Sequence, residues 1–310
     1  MTITRVELDN FLVFKNLSID LCPGINVIIG GNGTGKTTLL KFVKCAYETC
    51  VYDEEDTTFI HNIHRELAAP ACSASSFGHR PADTSEFQAK AFSDDKCLSV
   101  SFRDGQVTSS GEEEWKKNGI KMAYMIRDVL CNYGFHTLPI DEPTNERTAH
   151  ILCLLDKAAG GMFKFDENDG LQLRSNRYTR DFFHLSSGQQ KLARLWMLVR
   201  NGIPKGLSVL ILDDAEQNLS PNILDNVAQA LIELQRLGVQ IFLSTYSYIL
   251  MKELELGKTE NDSLLFHSLY RGDDGEVHVQ SCPDRRALVE DVTQEAGVKV
   301  YDKELDRLLS

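Results

Sequence analysis

Apolar residues in the first fifty positions form short runs that predict strands, followed by a stretch with helical spacing. TITRVEL and LSIDL mix apolar and polar positions, whereas NVIIG is a continuous apolar run. We expect residues 9–16, between the first two runs, to form a loop, and a Pro-Gly turn precedes the third. Helical periodicity then extends from about Thr37 to Tyr47. The pattern predicts three strands followed by one helix.

Two later apolar runs, VLIL and VQIFL, show no alternation of polar and apolar positions. Such runs are typical of parallel strands that are buried on both faces of a sheet. Helical spacing precedes and separates them, over residues 147–158, 185–199 and 221–237, and Gly238 marks the end of the last helix. These elements predict an α/β domain.

The region between the first helix and these later elements is less regular. Residues 66–96 are rich in Ala, Ser, Pro and Asp, and we expect them to form an irregular insertion. Residues 97–110 predict a hairpin with an Asp-Gly turn, and residues 120–128 predict a core strand. No sustained heptad repeat is present, which excludes a long coiled-coil arm within this sequence.

Composition then narrows the class of protein. The 310 residues are 42% hydrophobic and 25% charged, as in ordinary globular proteins. No apolar run is long enough to span a bilayer, so we expect a cytoplasmic protein with no membrane partner. Eight cysteines without a C-x-x-C pair indicate reduced thiols. The net charge of -12 argues against a surface that binds nucleic acid throughout, although a local basic groove stays open.

A glycine-rich segment, GGNGTGKTT, follows the third strand and fits the phosphate-loop pattern G-x-x-x-x-G-K-[ST]. Glycines allow successive backbone N–H groups to converge on phosphate oxygens. Lys36 supplies a positive charge for the β- and γ-phosphates, and Thr37 offers a hydroxyl to Mg²⁺. The predicted ATP-binding residues are Gly30, Asn32, Gly33, Thr34, Gly35, Lys36, Thr37 and Thr38.

Acidic and hydroxyl side chains follow the two buried runs. Asp213 and Asp214 end the VLIL strand, and Tyr246 follows VQIFL. Because ligands of α/β sheets bind at the carboxyl ends of the strands, these residues are candidates for the site. Two carboxylates at a buried strand end favour a bound metal ion or bound water, since isolated buried charges are costly.

The order of these motifs resembles that of an ABC-type ATPase. The phosphate loop is followed by LSSGQ, then by a D-D-x-E box with N-L-S-P, and then by a switch strand. The chain is similar to stand-alone prokaryotic AAA family ATPases of the SMC, RecF and OLD-like class. The resemblance implies a three-layer P-loop fold with an N-terminal antiparallel β subdomain and an irregular or helical insertion. We expect one domain over residues 1–310, with an insertion or lid at residues 45–185.

Site roles follow from this resemblance, position by position. Asp213, together with Thr37, would hold Mg²⁺, and Lys36 would act in catalysis. Asp214 stands where the family has the glutamate that activates water, and Tyr246 stands where a switch histidine is usual. Since aspartate is one methylene shorter and tyrosine is not an imidazole, we expect slow hydrolysis. The signature residues, which would contact ATP on the other subunit, are Ser186, Ser187, Gly188 and Gln189.

The resemblance implies an ATP-dependent homodimer with ATP and Mg²⁺ as its ligands. Without a second catalytic set in the sequence, such a head would regulate a separate effector protein, and the expected setting is anti-phage or toxin-antitoxin-like defence. One alternative is a DNA-repair ATPase that clamps DNA, which makes nucleic acid a candidate partner. Another is a scaffold that binds ATP without hydrolysing it. Gln88 is the candidate for a Q-loop glutamine. Arg174, Arg177 and Arg180 are interpreted as a solvated hairpin edge, with contact to nucleic acid or to the partner's ATP as the alternative.

Overall fold

The computed structural model describes residues 2–51, 58–67, 77, 86–117, 122–126, 145–166, 170–203, 206–288 and 292–309. The strands are β1 (Arg5–Phe11), β2 (Phe14–Asp20), β3 (Ile25–Gly30), β4 (Phe87–Ser93), β5 (Lys96–Arg103), β6 (Gln106–Ser110), β7 (Met122–Ile126), β8 (Met162–Asp166), β9 (Gly170–Arg174), β10 (Thr179–Asp181), β11 (Leu207–Leu212), β12 (Gln240–Ser244), β13 (Leu264–Arg271) and β14 (Val277–Cys282). The helices are α1 (Lys36–Val51), α2 (Phe59–Leu67), α3 (Glu112–Lys116), α4 (Glu146–Ala159), α5 (Ser187–Gly202), α6 (Leu224–Arg236), α7 (Tyr248–Gly257) and α8 (Val292–Leu309).

A six-stranded sheet in the order β14-β13-β3-β12-β11-β7 separates two hydrophobic cores. Five of its strands are parallel, and β14 pairs antiparallel with β13. Successive residues of one strand face opposite cores: Val27 contributes to the core with α4, α5 and α6, and Ile28 to the core with α1. This double burial explains the continuous apolar runs and confirms the predicted three-layer fold.

A five-stranded antiparallel sheet, ordered β2-β1-β4-β5-β6, forms the predicted N-terminal β subdomain. The loop predicted over residues 9–16 is wrong, because β1 continues to Phe11 and β2 already begins at Phe14. These two phenylalanines pair across a two-residue turn and are both fully buried. Leu12 adopts a φ of 52° in that turn. This left-handed conformation usually indicates glycine, so the sequence contains no sign of this turn.

The irregular insertion predicted over residues 66–96 is also wrong in part, because its end forms β4 between β1 and β5. One face of β4 is buried at alternate positions, and two of these positions are Ala89 and Ala91, whose low strand propensity hid the strand in the sequence. Residues 68–76 and 78–85 of that stretch lie outside the described residues, as does the acidic run at 53–56. The hairpin predicted over 97–110 is confirmed, with Asp104 and Gly105 both at positive φ.

The later elements agree closely with the predicted periodicities. The helix predicted over 147–158 is α4, and the strand predicted within 120–128 is β7, an edge strand of the main sheet. The helix predicted from residue 221 begins later, because Pro221–Ile223 form a 3-10 turn before α6. Because β3, β12 and β11 are adjacent parallel strands, the turns that follow them lie together at the carboxyl edge of one sheet.

Candidate nucleotide-binding site

The phosphate loop joins β3 to α1 and depends on glycine at its last position. Gly35 has a φ of 96°, and a Cβ atom there would lie 2.4 Å from the ring of Phe14. The β1–β2 turn therefore packs directly against the loop and leaves no room for a side chain. Thr34 is buried behind the loop, where its hydroxyl donates to the carbonyl of Gly31 at 2.9 Å. The loop is thus held in shape from both sides.

Lys36 is the first residue of α1 and folds back over the phosphate loop. Its Nζ donates to the carbonyl oxygens of Gly30 and Gly31, at 2.8 and 3.0 Å. It also donates to the hydroxyl of Tyr246 at 2.5 Å, and the side chain is 7% exposed. A positive charge is therefore fixed at the N-terminus of α1, where anions bind favourably.

Asp213 lies directly after β11 and is held from two sides. The Thr37 hydroxyl donates to its Oδ2 at 2.9 Å, and the Ser244 hydroxyl donates to its Oδ1 at 2.7 Å. The carboxylate is 4% exposed. The structure therefore brings together the two residues that the sequence assigns to a metal ion. Ser244 supports them from the end of β12, a role that sequence reasoning did not assign.

Asp214 follows in a left-handed conformation, with a φ of 51°. Its backbone N–H donates to the Ser244 hydroxyl at 2.8 Å. Burial raises the pKa of the Asp214 carboxyl, and the neighbouring Asp213 and Glu216 raise it further, against the lowering effect of two lysines. A carboxylate with a raised pKa accepts a proton more readily, which suits a general base.

Tyr246 connects the end of β12 to the phosphate loop. Its hydroxyl accepts from Lys36 and donates to the Asn32 side chain at 2.7 Å. Its position depends on Glu216, which accepts from the Tyr246 backbone N–H at 2.7 Å and from the Thr245 hydroxyl at 2.6 Å. Glu216 is the last residue of the D-D-x-E box. The motif therefore singled out this residue, although sequence reasoning gave it no role.

These side chains enclose a cavity of about 360 Å³ above the phosphate loop. Its lining residues are Asn32, Gly33, Gly35, Lys36, Thr37, Thr38, Asp214 and Tyr246. Gly30, Thr34 and Asp213 support the lining from behind through the contacts above. Gln88 lies in the middle of β4, opposite Asp9 and Ser101, and is not among the lining residues.

The signature residues begin α5, away from that cavity. Ser186 caps the helix, because its hydroxyl accepts from the Gln189 N–H while the Gln189 side chain accepts from the Ser186 N–H. Ser187 is exposed, and Gly188 packs so closely that a Cβ atom would lie 2.2 Å from the carbonyl of Asn218. None of the signature residues Ser186–Gln189 lines the cavity of the same chain.

The basic residues before the signature lie on the three-stranded sheet β10-β9-β8. Arg174 donates to the Gln172 side chain, and the guanidinium of Arg180 stacks on Tyr178 at 4.4 Å. These residues are on a hairpin with β10 at its edge, as predicted. Within the described ranges, no group of three or more His, Cys, Asp or Glu side chains could hold a metal ion, and no helix could cross a membrane.

Two protein families match the sequence. The family described as "AAA domain" matches residues 5–133, and the family described as "AAA domain, putative AbiEii toxin, Type IV TA system" matches residues 77–252. The DNA replication and repair protein RecF of Heliobacterium modesticaldum is 42% identical over 43 residues, and that of Clostridium perfringens is 44% identical over 43 residues. These matches cover 14% of this chain and 12% of each RecF protein.

Solved structures share the fold over nearly the whole chain. The SMC head domain from Thermotoga maritima has a TM-score of 0.59 at 16% identity and covers 91% of this chain and 99% of its own. The Smc head domain bound to the C-terminal domain of ScpA, derived from Pyrococcus furiosus, has a TM-score of 0.60 at 12% identity, with coverages of 97% and 98%. At these identities the likeness shows the fold alone.

Proposed function

The chain belongs to the AAA-domain family that matches residues 77–252, and we propose that it binds and slowly hydrolyses ATP as an ATP-dependent homodimer that regulates an effector protein. The observation that carries the proposal is the convergence of Lys36, Thr37, Asp214 and Tyr246 on one cavity above a phosphate loop. The loop, the ammonium group and the N-terminus of α1 together form a site for the phosphates of a nucleotide.

Mg²⁺ fits the residues at this site. Thr37 and Asp213 would hold it, because their oxygens already lie 2.9 Å apart beside the phosphate loop. Mg²⁺ prefers oxygen ligands and is commonly bound by one or two carboxylates together with substrate phosphates, so a single carboxylate suffices here. When bound, it would supply positive charge to the phosphate oxygens.

Asp214 is the proposed general base. It would accept a proton from water as the water oxygen bonds to the γ-phosphorus and the bond from that phosphorus to the β–γ bridging oxygen breaks, leaving ADP and phosphate. Its carboxylate is one methylene shorter than that of glutamate, and displacement by about 1 Å can cost about 100-fold in rate. Slow turnover is the expected consequence.

Dimer formation would complete each site with the signature of the other chain. The observation in favour is that Ser187 is exposed at the start of α5 and absent from the cavity of its own chain. Large apolar side chains are also exposed beside the two motifs, with Phe183 68%, Tyr248 49% and Ile249 42% exposed. Exposed apolar groups of this kind favour a protein interface.

The proposed biological role is control of a separate effector in anti-phage or toxin-antitoxin-like defence. It is supported by the description of the matching family, which names a type IV toxin-antitoxin system. We further propose that residues 1–310 act as one ATPase domain, with an insertion or lid at 45–185 between the phosphate loop and the signature. A cytoplasmic location accords with this role.

A DNA-repair ATPase is the second candidate, supported by the match to RecF over 43 residues. In that case Arg174, Arg177 and Arg180, which are exposed, would contact nucleic acid. DNA affinity that falls steeply with salt and depends on these arginines would favour this candidate. Binding that is absent at low salt would leave the effector role as the better account.

The direct test measures mass by light scattering with and without Mg-ATP, and phosphate release in the same samples, for the wild type and Asp214→Ala. A monomer that becomes a dimer with ATP, and releases phosphate only with Asp214 intact, supports the proposal. A dimer without release in either protein would replace hydrolysis with an ATP-held scaffold. Absence of ATP binding would refute the proposal.

A further inference from the structure

A buried ammonium group ties the signature helix to the loop that follows β11. Lys191 lies one turn into α5, four positions after Ser187, and is 8% exposed. Its Nζ donates to the carbonyl oxygen of Asp214 at 2.7 Å and to that of Gln217 at 3.4 Å. Both acceptors belong to the backbone of the turn that carries the proposed general base.

The Asp214 turn is also held by Ser244, whose hydroxyl accepts from the Asp214 N–H at 2.8 Å and whose carbonyl accepts from the Ala215 N–H at 2.9 Å. Asp214 is in a left-handed conformation, and its carbonyl also accepts from the Gln217 backbone N–H at 2.9 Å. A non-glycine residue held at positive φ is strained, so neighbouring contacts must maintain it. Lys191 provides such a contact from a different element, at the carbonyl of the strained residue itself.

Burial of this lysine is energetically unfavourable, which argues for a specific task. Desolvation lowers the pKa of Lys191 to about 8, although the nearby carboxylates of Glu216, Asp214 and Asp213 oppose the shift. An apolar side chain of similar length would fill the same space without that cost. The ammonium group, unlike an apolar chain, fixes the direction of two carbonyl groups.

A second contact joins the signature to the loop after β11. Gly188 lies against the carbonyl of Asn218, where a Cβ atom would approach to 2.2 Å. The N-terminal part of α5 therefore contacts the loop after β11 at two places, through Lys191 and through Gly188. These contacts link the signature directly to the backbone of Asp214, Gln217 and Asn218.

We infer that Lys191 is a positioning residue that transmits engagement of the signature to the proposed general base of the same chain. The inference rests on the proposed function. When Ser187 and Gly188 contact ATP held by the partner, α5 is fixed, and Lys191 fixes the Asp214 backbone. The carboxylate of Asp214 is thereby aligned in its own site. Hydrolysis of ATP at the two sites of a dimer is therefore coupled.

The test compares Lys191→Met, Lys191→Arg and the surface control Lys164→Met with the wild type. Phosphate release is measured against protein concentration, with dimer mass and ATP affinity in the same samples. In the wild type, dimer formation should raise turnover per chain. We expect Lys191→Met to bind ATP and dimerise normally, yet to lose about 100-fold of that turnover. Lys191→Arg, which can still donate, should recover part of it, and Lys164→Met should match the wild type.

Three results separate the possible failures. Normal stimulation by dimer formation in Lys191→Met would overturn the inference and leave the proposed function intact. Joint loss of ATP affinity, dimer and thermal stability would assign Lys191 a structural role only, which also overturns it. A wild type that dimerises without any release would refute hydrolysis itself, and the positioning role with it.

Discussion

The hydroxyl of Tyr246 lies 2.5 Å from Nζ of Lys36 and joins residues that are 210 positions apart in the sequence. The same hydroxyl donates to Asn32 of the phosphate loop. Lys36 has three N–H donors, and the carbonyls of Gly30 and Gly31 accept from it as well. A phosphate oxygen that binds this ammonium group must therefore replace one of these acceptors, and the tyrosine is the acceptor from outside the loop.

Tyr246→Phe is expected to tighten ADP binding about fivefold, because a phosphate no longer competes with the phenol for Lys36. A hydrogen bond of this kind contributes about 1 kcal/mol net. Titration calorimetry measures the change. Tyr248→Phe is the matched control, since that ring is exposed nearby and stacks with Arg285. Weaker ADP binding in Tyr246→Phe would mean that the phenol helps to hold the nucleotide.

Thr37→Val should remove most of the benefit that Mg²⁺ gives to ATP binding, because valine keeps the shape of threonine without its oxygen. We expect about a tenfold loss of affinity with Mg²⁺ present and little change with chelator. Thr37→Ser keeps the hydroxyl and serves as the control. Equal stimulation by Mg²⁺ in the valine variant would place the metal elsewhere.

Asp214→Glu tests whether the short side chain limits the rate. The extra methylene gives the side chain the length of the glutamate that ABC-type ATPases have at this position. We therefore expect turnover to rise about tenfold. Glutamate tolerates the positive φ less well than aspartate, and a slightly lower melting temperature is expected. Asp214→Asn is the control and should lose turnover. A fall in turnover for both variants would show that aspartate is already matched to this site.

Most motifs and secondary-structure elements that lie within one continuous segment could be predicted from the sequence. The phosphate loop, the strand that ends at Asp213 and the start of α5 at Ser187 were each indicated by a local motif and by its periodicity. The structure places them at one edge of one sheet, as the rule for parallel strands predicts.

The contacts between distant segments could not be predicted in this way. Glu216 supports Tyr246, and Lys191 supports Asp214, through hydrogen bonds that depend on how helices and strands pack. Strand β4 was missed because its buried alternate positions include Ala89 and Ala91, which have low strand propensity. The β1–β2 turn was missed because Leu12 takes a glycine-like conformation.

His267 should make stability fall in acid. Burial lowers its pKa to about 3 from 6.5, and its ring contacts Ser281 and Asn26. As pH falls below 6.5, the unfolded chain takes up a proton that the folded chain refuses until about pH 3. The free energy of unfolding therefore drops by about 1.4 kcal/mol per pH unit across that window from this group.

His267→Gln should flatten this slope by about one proton, whatever its effect on absolute stability. Urea unfolding at pH 7.0 and at steps down to about pH 5 provides the measurement. His184→Gln, at an exposed position, is the control and should keep the wild-type slope. An unchanged slope in His267→Gln would show that the buried ring is protonated in the folded protein.

The most direct test of the central claim measures dimer mass and ATP affinity for Asp214→Asn with and without a second change, Ser187→Arg. The exposed Ser187 lies outside the cavity of its own chain, so the arginine should leave ATP binding unchanged and block contact with a partner's nucleotide. We predict that Asp214→Asn forms a dimer with Mg-ATP and that the double variant stays monomeric while binding ATP equally well. A double variant that still dimerises with ATP would contradict a site completed by the signature of the other chain.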